Sequence, residues 1–161
     1  GAGTTFRIDL PAASAVSPDP PAARSQTSAR RGGNEAILVV EDEEAVAALM
    51  EEALSRAGYR VVAVRDPVRA VALGEDGAER FDLLVTDVVM PGLDGREVAE
   101  RIRARRPGLR VLYVSGYTAD DAIRLGISTE RLAFLAKPFS PAELVERVRE
   151  VLDAPAPLPP L

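Results

Sequence analysis

Two patterns of apolar positions alternate along the chain: short continuous apolar runs, and stretches in which apolar residues recur at helical spacing. Short apolar runs, too continuous for a half-exposed strand and too short for a helix, predict strands that are buried on both faces. Five strands are predicted, at residues 36–40, 59–64, 81–87, 110–114 and 132–136. Apolar residues at helical spacing predict five helices, at residues 43–57, 67–73, 95–105, 119–125 and from 141 onward. This alternation predicts an α/β fold, a parallel sheet with helices on both faces.

Capping residues mark where several of these helices begin. Asp66 stands immediately before Pro67 at the start of the second helix, and Asp94 stands before the third. Ser140, followed three residues later by Glu143, opens the last helix. Side chains of Asp and Ser accept hydrogen bonds from the free N–H groups of a first turn, and Pro is tolerated there. We therefore expect these helices to begin at 67, 95 and 141.

The two ends of the chain differ in composition from the part between them. Residues 1–10 carry Phe6, Ile8 and Leu10 on one face and predict a strand. Residues 11–33 are rich in Ala, Ser, Pro and Arg, which predicts a flexible linker. Residues 154–161 are Pro-rich and predict an extended tail. The predicted domain therefore covers residues 34–153.

Composition excludes several classes of function. The chain has 161 residues, enough for one domain with a sizeable core. Its net charge of -5 and pI of about 4.9 argue against a nucleic-acid surface. It contains neither Cys nor His, which excludes thiolate sites and any phosphohistidine of its own. No apolar run is long enough for a membrane span, so we expect a cytoplasmic protein without membrane contact.

Polar residues lie at or directly after the ends of four predicted strands. These residues are Glu41, Asp42, Asp87, Ser115 and Lys137. The carboxyl ends of parallel strands meet at one edge of a sheet, where open α/β sheets place their ligands. We therefore expect these side chains to lie close together.

The chemistry of this set predicts phosphoryl transfer. Three carboxylates placed together repel one another and call for a cation, and Mg²⁺ suits oxygen ligands. Asp87 is the candidate nucleophile, and its product would be an acyl phosphate. Lys137 and the Ser115 hydroxyl are candidates to stabilise the phosphoryl oxygens.

The motifs that carry these residues resemble the receiver domain of two-component response regulators, the CheY-like family. The motifs are Glu41-Asp42, Asp87 within VTDVVMPGLDG, Ser115-Gly116 and Lys137-Pro138-Phe139. The resemblance runs from about Asn34 to Asp153. It implies a flavodoxin-like, doubly wound sheet of strand order 2-1-3-4-5 with five helices.

The resemblance also implies a role for each site residue. Asp87 would be the phosphoacceptor and, with Asp42, a direct Mg²⁺ ligand. Glu41 would act through a metal-bound water, and the main-chain carbonyl of Val89 would be a further ligand. Ser115 and Lys137 would contact the phosphoryl group, and the Lys137-Pro138 peptide bond would be cis.

Three positions depart from the commonest pattern of that family. Glu41 replaces a frequent Asp, Ser115 replaces an equally familiar Thr, and Phe134 stands where the switch aromatic is often Tyr. Inward rotation of Phe134 would bury a ring that has no hydroxyl in need of a hydrogen-bond partner. We therefore expect the switch pair Ser115 and Phe134 to couple by packing.

The first residues carry a second resemblance. GAGTTFRIDLP looks like the end of a histidine kinase ATP-binding domain, so residues 1–10 would be the remnant of its last strand. Together with the linker, this predicts the C-terminal receiver of a hybrid sensor histidine kinase. Its partners would be a histidine kinase phosphodonor domain, a histidine phosphotransfer protein, or both. We expect a monomer whose response face comprises the 119–125 helix, the fifth strand and the last helix.

Two other classes of protein share part of this pattern. A phosphatase of the haloacid dehalogenase type needs a second Asp two residues after the nucleophile, where this chain has Val89. A receiver-like module that only binds partners would not need the acids and Lys137. Phosphorylation and dephosphorylation would be the chain's own reactions. Dephosphorylation would be slow, because apolar Val89 and bulky Tyr117 flank the expected path of water.

Overall fold

The computed structural model describes residues 33–116 and 133–155 of the chain. Five strands form one parallel sheet in the order β2-β1-β3-β4-β5. They are β1 Ala36–Val40, β2 Arg60–Val64, β3 Leu83–Asp87, β4 Arg110–Ser115 and β5 Ala133–Ala136. The helices of the described ranges are α1 Glu44–Arg56, α2 Pro67–Glu75, α3 Gly95–Arg105 and α4 Pro141–Asp153. The predicted fold class and strand order are confirmed, and the predicted helix at 119–125 lies outside these ranges.

Two apolar layers hold the helices to the sheet. Residues of α2 and α3 pack on one face, with Val71 and Ile102 among the buried residues there. Residues of α1 and α4 pack on the other face, with Met50 and Val148 fully buried. Every residue of β1 and β3 is buried, as expected for central strands covered on both sides.

The predicted caps are present at three helix starts. Asp66 accepts a hydrogen bond from the N–H of Val68 at 2.9 Å. Asp94 and Ser140 each form a reciprocal capping box with the Glu three residues later. These helices therefore begin at the predicted residues.

The sequence predicts α2 through about Leu73, with its end among Gly74, Asp76 and Gly77. In the structure α2 continues through Gly74 to Glu75, which lies within that stretch. A Cβ at Gly74 would lie 2.6 Å from the side chain of Ile102 on α3. Glycine therefore serves here to let α2 and α3 approach closely, and the helix tolerates its weak propensity.

The segments predicted at the two ends of the chain lie mostly outside the described ranges. This holds for the strand at 1–10, for the linker at 11–33 except Gly33, and for the tail after Pro155. The described residues cover the predicted domain except for the stretch 117–132.

Candidate functional site

The parallel sheet brings the predicted polar residues to its carboxyl edge. Asp87 is the last residue of β3 and Ser115 the last of β4. Glu41 follows β1 directly, and Lys137 follows β5 directly. One oxygen each of Glu41, Asp42 and Asp87 lies within 4.8 Å of the others. We call Glu41, Asp42, Asp87 and Lys137 the carboxyl-edge cluster.

The ammonium group of Lys137 lies between two carboxylates of this cluster. Its Nζ donates to Oε2 of Glu41 and to Oδ2 of Asp87, both at 2.7 Å. The side chain of Glu41 is 1% exposed and that of Asp87 is 12% exposed. Hydrogen bonds between ionised groups shielded from water are among the strong ones in proteins. The contacts therefore link the ends of β1, β3 and β5.

Lys137 is also distinctive by residue type. Of the 20 Lys and Arg residues of the chain, it is the only lysine. An ammonium is a compact charge with three donors, whereas a guanidinium is a planar fork. Two carboxylates that converge on a single nitrogen suit the ammonium.

The backbone around Asp87 fixes its carboxylate. Its Oδ1 accepts the N–H of Val89 at 2.9 Å, which leaves Oδ2 to Lys137. Thr86 is fully buried and its hydroxyl donates to the carbonyl oxygen of Asp87 at 3.0 Å. Gly95, the first residue of α3, lies against the same carbonyl, where a Cβ would overlap it. Asp87 is therefore held through both its side chain and its main chain.

The pKa values in the cluster reflect burial and charge. Burial raises the pKa of Glu41, and the neighbouring charge of Asp87 adds to this, although the contact with Lys137 opposes it. Burial alone would lower the pKa of Lys137, but hydrogen bonds to Asp87 and Glu41 outweigh it and raise that pKa. Three acids face one lysine, so an added cation would offset the remaining negative charge.

The two predicted switch residues lie on neighbouring strands. Ser115 is buried, and its carbonyl oxygen accepts the N–H of Lys137 at 2.7 Å. Phe134 on β5 pairs in register with Tyr113 on β4 and packs against the apolar layer under α2 and α3. The Lys137–Pro138 peptide bond is cis. The coupling of Ser115 and Phe134 stays a prediction.

Sequence reasoning missed two features of the site. It did not anticipate that Glu41 contacts Lys137 directly, although both residues were placed at one edge and Glu has the longer arm. It also overlooked Thr86, because a Thr inside a buried strand carries no distinctive signal. Of the residues predicted to flank the path of water, Val89 is exposed, and Tyr117 lies outside the described ranges.

Known proteins match the part of the chain that contains this site. The family model for the response regulator receiver domain matches residues 37–149. Sensor kinase CckA of Brucella abortus (strain 2308) is 35% identical over 101 residues, which cover 63% of this chain and 11% of the kinase. The chain thus spans only a small part of that relative.

Two solved receiver domains are similar in sequence and structure. The receiver domain from the hybrid histidine kinase CckA is 34% identical with a TM-score of 0.61, covering 73% of this chain and 99% of that one. The receiver domain of sensor histidine kinase PA1611 from Pseudomonas aeruginosa PAO1 is 28% identical with a TM-score of 0.65, covering 76% and 100%. That structure has a magnesium ion coordinated in its active site cleft.

The chain belongs to the response regulator receiver domain family of two-component systems. No helix within residues 33–116 and 133–155 is long and apolar enough to cross a membrane.

Proposed function

We propose that Asp87 accepts a phosphoryl group from a phosphohistidine and passes it to another histidine or to water. The observation that carries this proposal is the environment of the Asp87 carboxylate. It ends a buried strand, its Oδ1 is held by a backbone N–H, and its Oδ2 lies 2.7 Å from the Lys137 ammonium. A carboxylate with one oxygen fixed and the other beside a cation is prepared for in-line attack on phosphorus.

The transfer step uses groups of this chain in defined roles. An oxygen of Asp87 forms a bond to phosphorus while the P–N bond of the donor breaks. The electron pair of that bond returns to the imidazole nitrogen of the donor. Lys137 then offsets charge on the phosphoryl oxygens, and the Ser115 hydroxyl is placed at the same edge to donate to one of them. In hydrolysis, water attacks phosphorus and the Asp87 carboxylate leaves.

The residues present fit a hard divalent cation such as Mg²⁺. Oxygens of three carboxylates lie within 4.8 Å of one another, and oxygen donors are those that Mg²⁺ prefers. Asp42 and Asp87 would hold the ion, with the main-chain carbonyl of Val89 as a further ligand. When bound, the ion would neutralise charge on the carboxylates and on the phosphoryl oxygens. The magnesium in the PA1611 receiver domain supports this assignment.

Receiver domains act with histidine kinases or phosphotransfer proteins, and the same class of partner is proposed here. The similarity to CckA supports a place in a hybrid histidine kinase, with residues 34–153 as its receiver. We propose a monomeric, cytoplasmic module that makes no contact with nucleic acid or membrane. Slow loss of phosphate to water is part of this proposal.

The proposal is tested by intact-protein mass after incubation with acetyl phosphate and Mg²⁺. Wild type should gain one phosphoryl group, and Asp87→Asn should gain none. Asp66→Asn is the matched control, since Asp66 also lies at the carboxyl edge and Asn is an equally good N-cap. A wild type that gains no mass, or an Asp87→Asn variant that gains as much, would refute the assignment.

A further inference from the structure

We propose that a groove between α1 and α4 binds the linker that precedes the domain, through residues 28–32 of the same chain. Both helices line this groove, with Leu49 and Ala53 from α1 and Val145 from α4, and Gly33 lines it as well. We call it the helix groove. The contact does not involve Asp87, so it stands or falls independently of phosphorylation.

The apolar part of the helix groove is only partly covered. Ala53 and Val145 are half-buried, and Leu49 is 40% exposed. The groove has a volume of about 1150 Å³, above the range of about 300–1,000 Å³ that is typical of small-molecule pockets. An extended segment of polypeptide therefore suits it better than a small ligand.

The charged side chains of the helix groove are mostly acidic. Its lining residues include two arginines, Arg56 and Arg149, and four acids, Glu52, Glu146, Glu150 and Asp153. Glu146 is exposed and forms no ion pair with any residue in the described ranges. The groove therefore attracts a basic segment.

The linker supplies basic residues at the point where it joins the domain. Residues 20–32 contain Arg24, Arg30 and Arg31 and no acid. Covalent geometry keeps Arg31 within about 8 Å of Gly33, since consecutive Cα atoms are about 3.8 Å apart. A tether this short gives an effective concentration on the order of millimolar, so weak contacts are sufficient for binding.

The packing around Gly33 fixes where the linker meets the helix groove. A Cβ at Gly33 would overlap the carboxylate of Glu35 and would lie 2.8 Å from the guanidinium of Arg149 on α4. A Cβ at Gly58, just after α1, would lie 3.2 Å from the carbonyl oxygen of Gly33. The chain therefore enters the domain between the ends of the two helices that form the groove.

The length of the helix groove selects the segment of the linker that it can hold. Helix α1 rises about 1.5 Å per residue, so the groove from Leu49 to Ala57 is about 12 Å long. An extended chain covers about 3.3 Å per residue, and about four to five residues before Gly33 would span that length. Residues 28–32 meet this requirement, whereas Arg24 falls beyond it.

The C-terminal tail also begins near the helix groove, but it fits less well. Residues 154–161 contain no charged side chain that could pair with the acids of the groove. The carbonyl oxygen of Ala154 accepts a hydrogen bond from Arg110 at 3.1 Å, which ties the exit of α4 to β4 rather than to α1. Charge and connection therefore both favour the linker.

A spin label on the linker tests the contact by NMR in the full chain. The sequence contains no Cys, so Ser28→Cys provides a single site for a nitroxide. Amide signals of Leu49 and Ala142, at the end of the groove far from Gly33, should broaden. Arg105 on α3, on the opposite face of the sheet, should keep a sharp signal. Broadening confined to the residues around Gly33 would overturn the proposal.

Charge reversal tests the ion pairs of the proposed contact. Arg30→Glu combined with Arg31→Glu should abolish the broadening at Leu49, because each exposed ion pair changes the bound population by up to about fivefold. Arg24→Glu is the matched control, since it reverses a charge of the same linker beyond the groove, and it should keep the broadening. Glu146→Arg in the reversed chain should restore part of it. Equal broadening with the reversed and the native linker would refute the contact.

A mixed sample distinguishes the chain's own linker from other occupants. Spin-labelled chain without ¹⁵N is mixed with ¹⁵N-labelled chain that carries no nitroxide, and the signals of the helix groove should stay sharp. Broadening in this mixture would show that a second copy occupies the groove and would overturn the assignment. Groove signals that ignore the charge of the linker would leave the groove to the C-terminal tail or to another protein, which also contradicts the proposal.

Discussion

The two edges of the sheet each hold one cation between two carboxylates. At the carboxyl edge, Lys137 lies between Glu41 and Asp87. At the amino edge, Arg149 donates to Glu35 at 2.8 Å and pairs with Asp153 at 2.9 Å. We call these three residues the amino-edge cluster. Its carboxylates are 26% and 56% exposed, whereas those beside Lys137 are 1% and 12% exposed.

The pKa values of Glu41 and Glu35, one acid from each cluster, are shifted in opposite directions. Burial raises the pKa of Glu41, and contact with Lys137 does not reverse this. Burial also acts to raise the pKa of Glu35, but the hydrogen bond and charge of Arg149, together with a backbone hydrogen bond, outweigh it and the pKa is lowered. The ion pair at the amino edge therefore favours the ionised form of Glu35 and stabilises the fold. The carboxyl edge has a third carboxylate, Asp42, and leaves more negative charge for a cation from outside, which supports the site proposed there.

The largest expected difference between the edges is in the loss of stability when a glycine is replaced by alanine, because the space around the two glycines differs. Gly95→Ala at the carboxyl edge would drive a methyl group into the Asp87 carbonyl and should destabilise the domain by about 3 kcal/mol or more. Gly108→Ala at the amino edge meets no atom within 4 Å and should change stability by less than about 1 kcal/mol. Urea unfolding followed by circular dichroism measures both. Similar midpoints would contradict the described packing of α3 on β3.

The second prediction concerns Mg²⁺. At about 100 times its dissociation constant, Mg²⁺ should stabilise wild type by about 2.7 kcal/mol, because it binds the folded state. Asp42→Asn should lose most of this gain, whereas Glu35→Gln at the opposite edge should keep it. Thermal unfolding with Mg²⁺ and with chelator provides the measurement. A gain that survives in Asp42→Asn would place the ion elsewhere.

The third prediction concerns the replacement by Met of Lys137 and Arg149, the central cations of the two clusters. Lys137→Met and Arg149→Met should each cost about 1–2 kcal/mol in chelator, because each removes the cation that contacts a buried or partly buried carboxylate. Saturating Mg²⁺ should recover part of the cost at Lys137 and none at Arg149. Denaturant unfolding of both variants under both conditions tests this. Equal recovery of stability in the two variants would show that Mg²⁺ does not act specifically at the carboxyl edge.

The smallest expected effect depends on pH. The folded-state pKa of Glu35 is lowered, so its contribution to stability is present above the unfolded pKa and is lost as pH falls through the folded pKa. The destabilisation caused by Glu35→Gln should therefore shrink between about pH 5 and pH 3, from a value below about 1 kcal/mol. Glu52→Gln, which removes an exposed pair with Arg56, is the control. A cost of Glu35→Gln that stays constant over that range would show that the ionised form gains nothing from Arg149.

Local sequence patterns were sufficient for most of the fold. Strand β1 and helix α3 have the predicted bounds, because one is a continuous apolar run and the other is preceded by a capping Asp. The role of Gly74 within α2 was not predicted, since it depends on Ile102 from another helix. Apolar runs and capping residues within one element do not show which residues of a distant element it will contact.

The same limit applies to the site. The order of strands placed Glu41, Asp87 and Lys137 at one edge, because every parallel strand ends there. Which carboxylates meet the ammonium depends on side-chain reach and on the hydrogen bond from the N–H of Glu41 to Val64 of β2. These are properties of the folded chain that spacing in the sequence does not encode.

The amino edge also determines where the domain is connected. The carbonyl oxygen of Asn34 accepts a hydrogen bond there from Arg60, and that of Ala154 accepts one from Arg110, so the first and last parts of the domain both lie at the ends of the strands that face away from Asp87. A strand of five residues spans about 16 Å. Neighbouring segments of a longer polypeptide would thus attach about that far from the reaction. Under the proposed function, a donor histidine would approach Asp87 at the end of the sheet opposite these covalent connections.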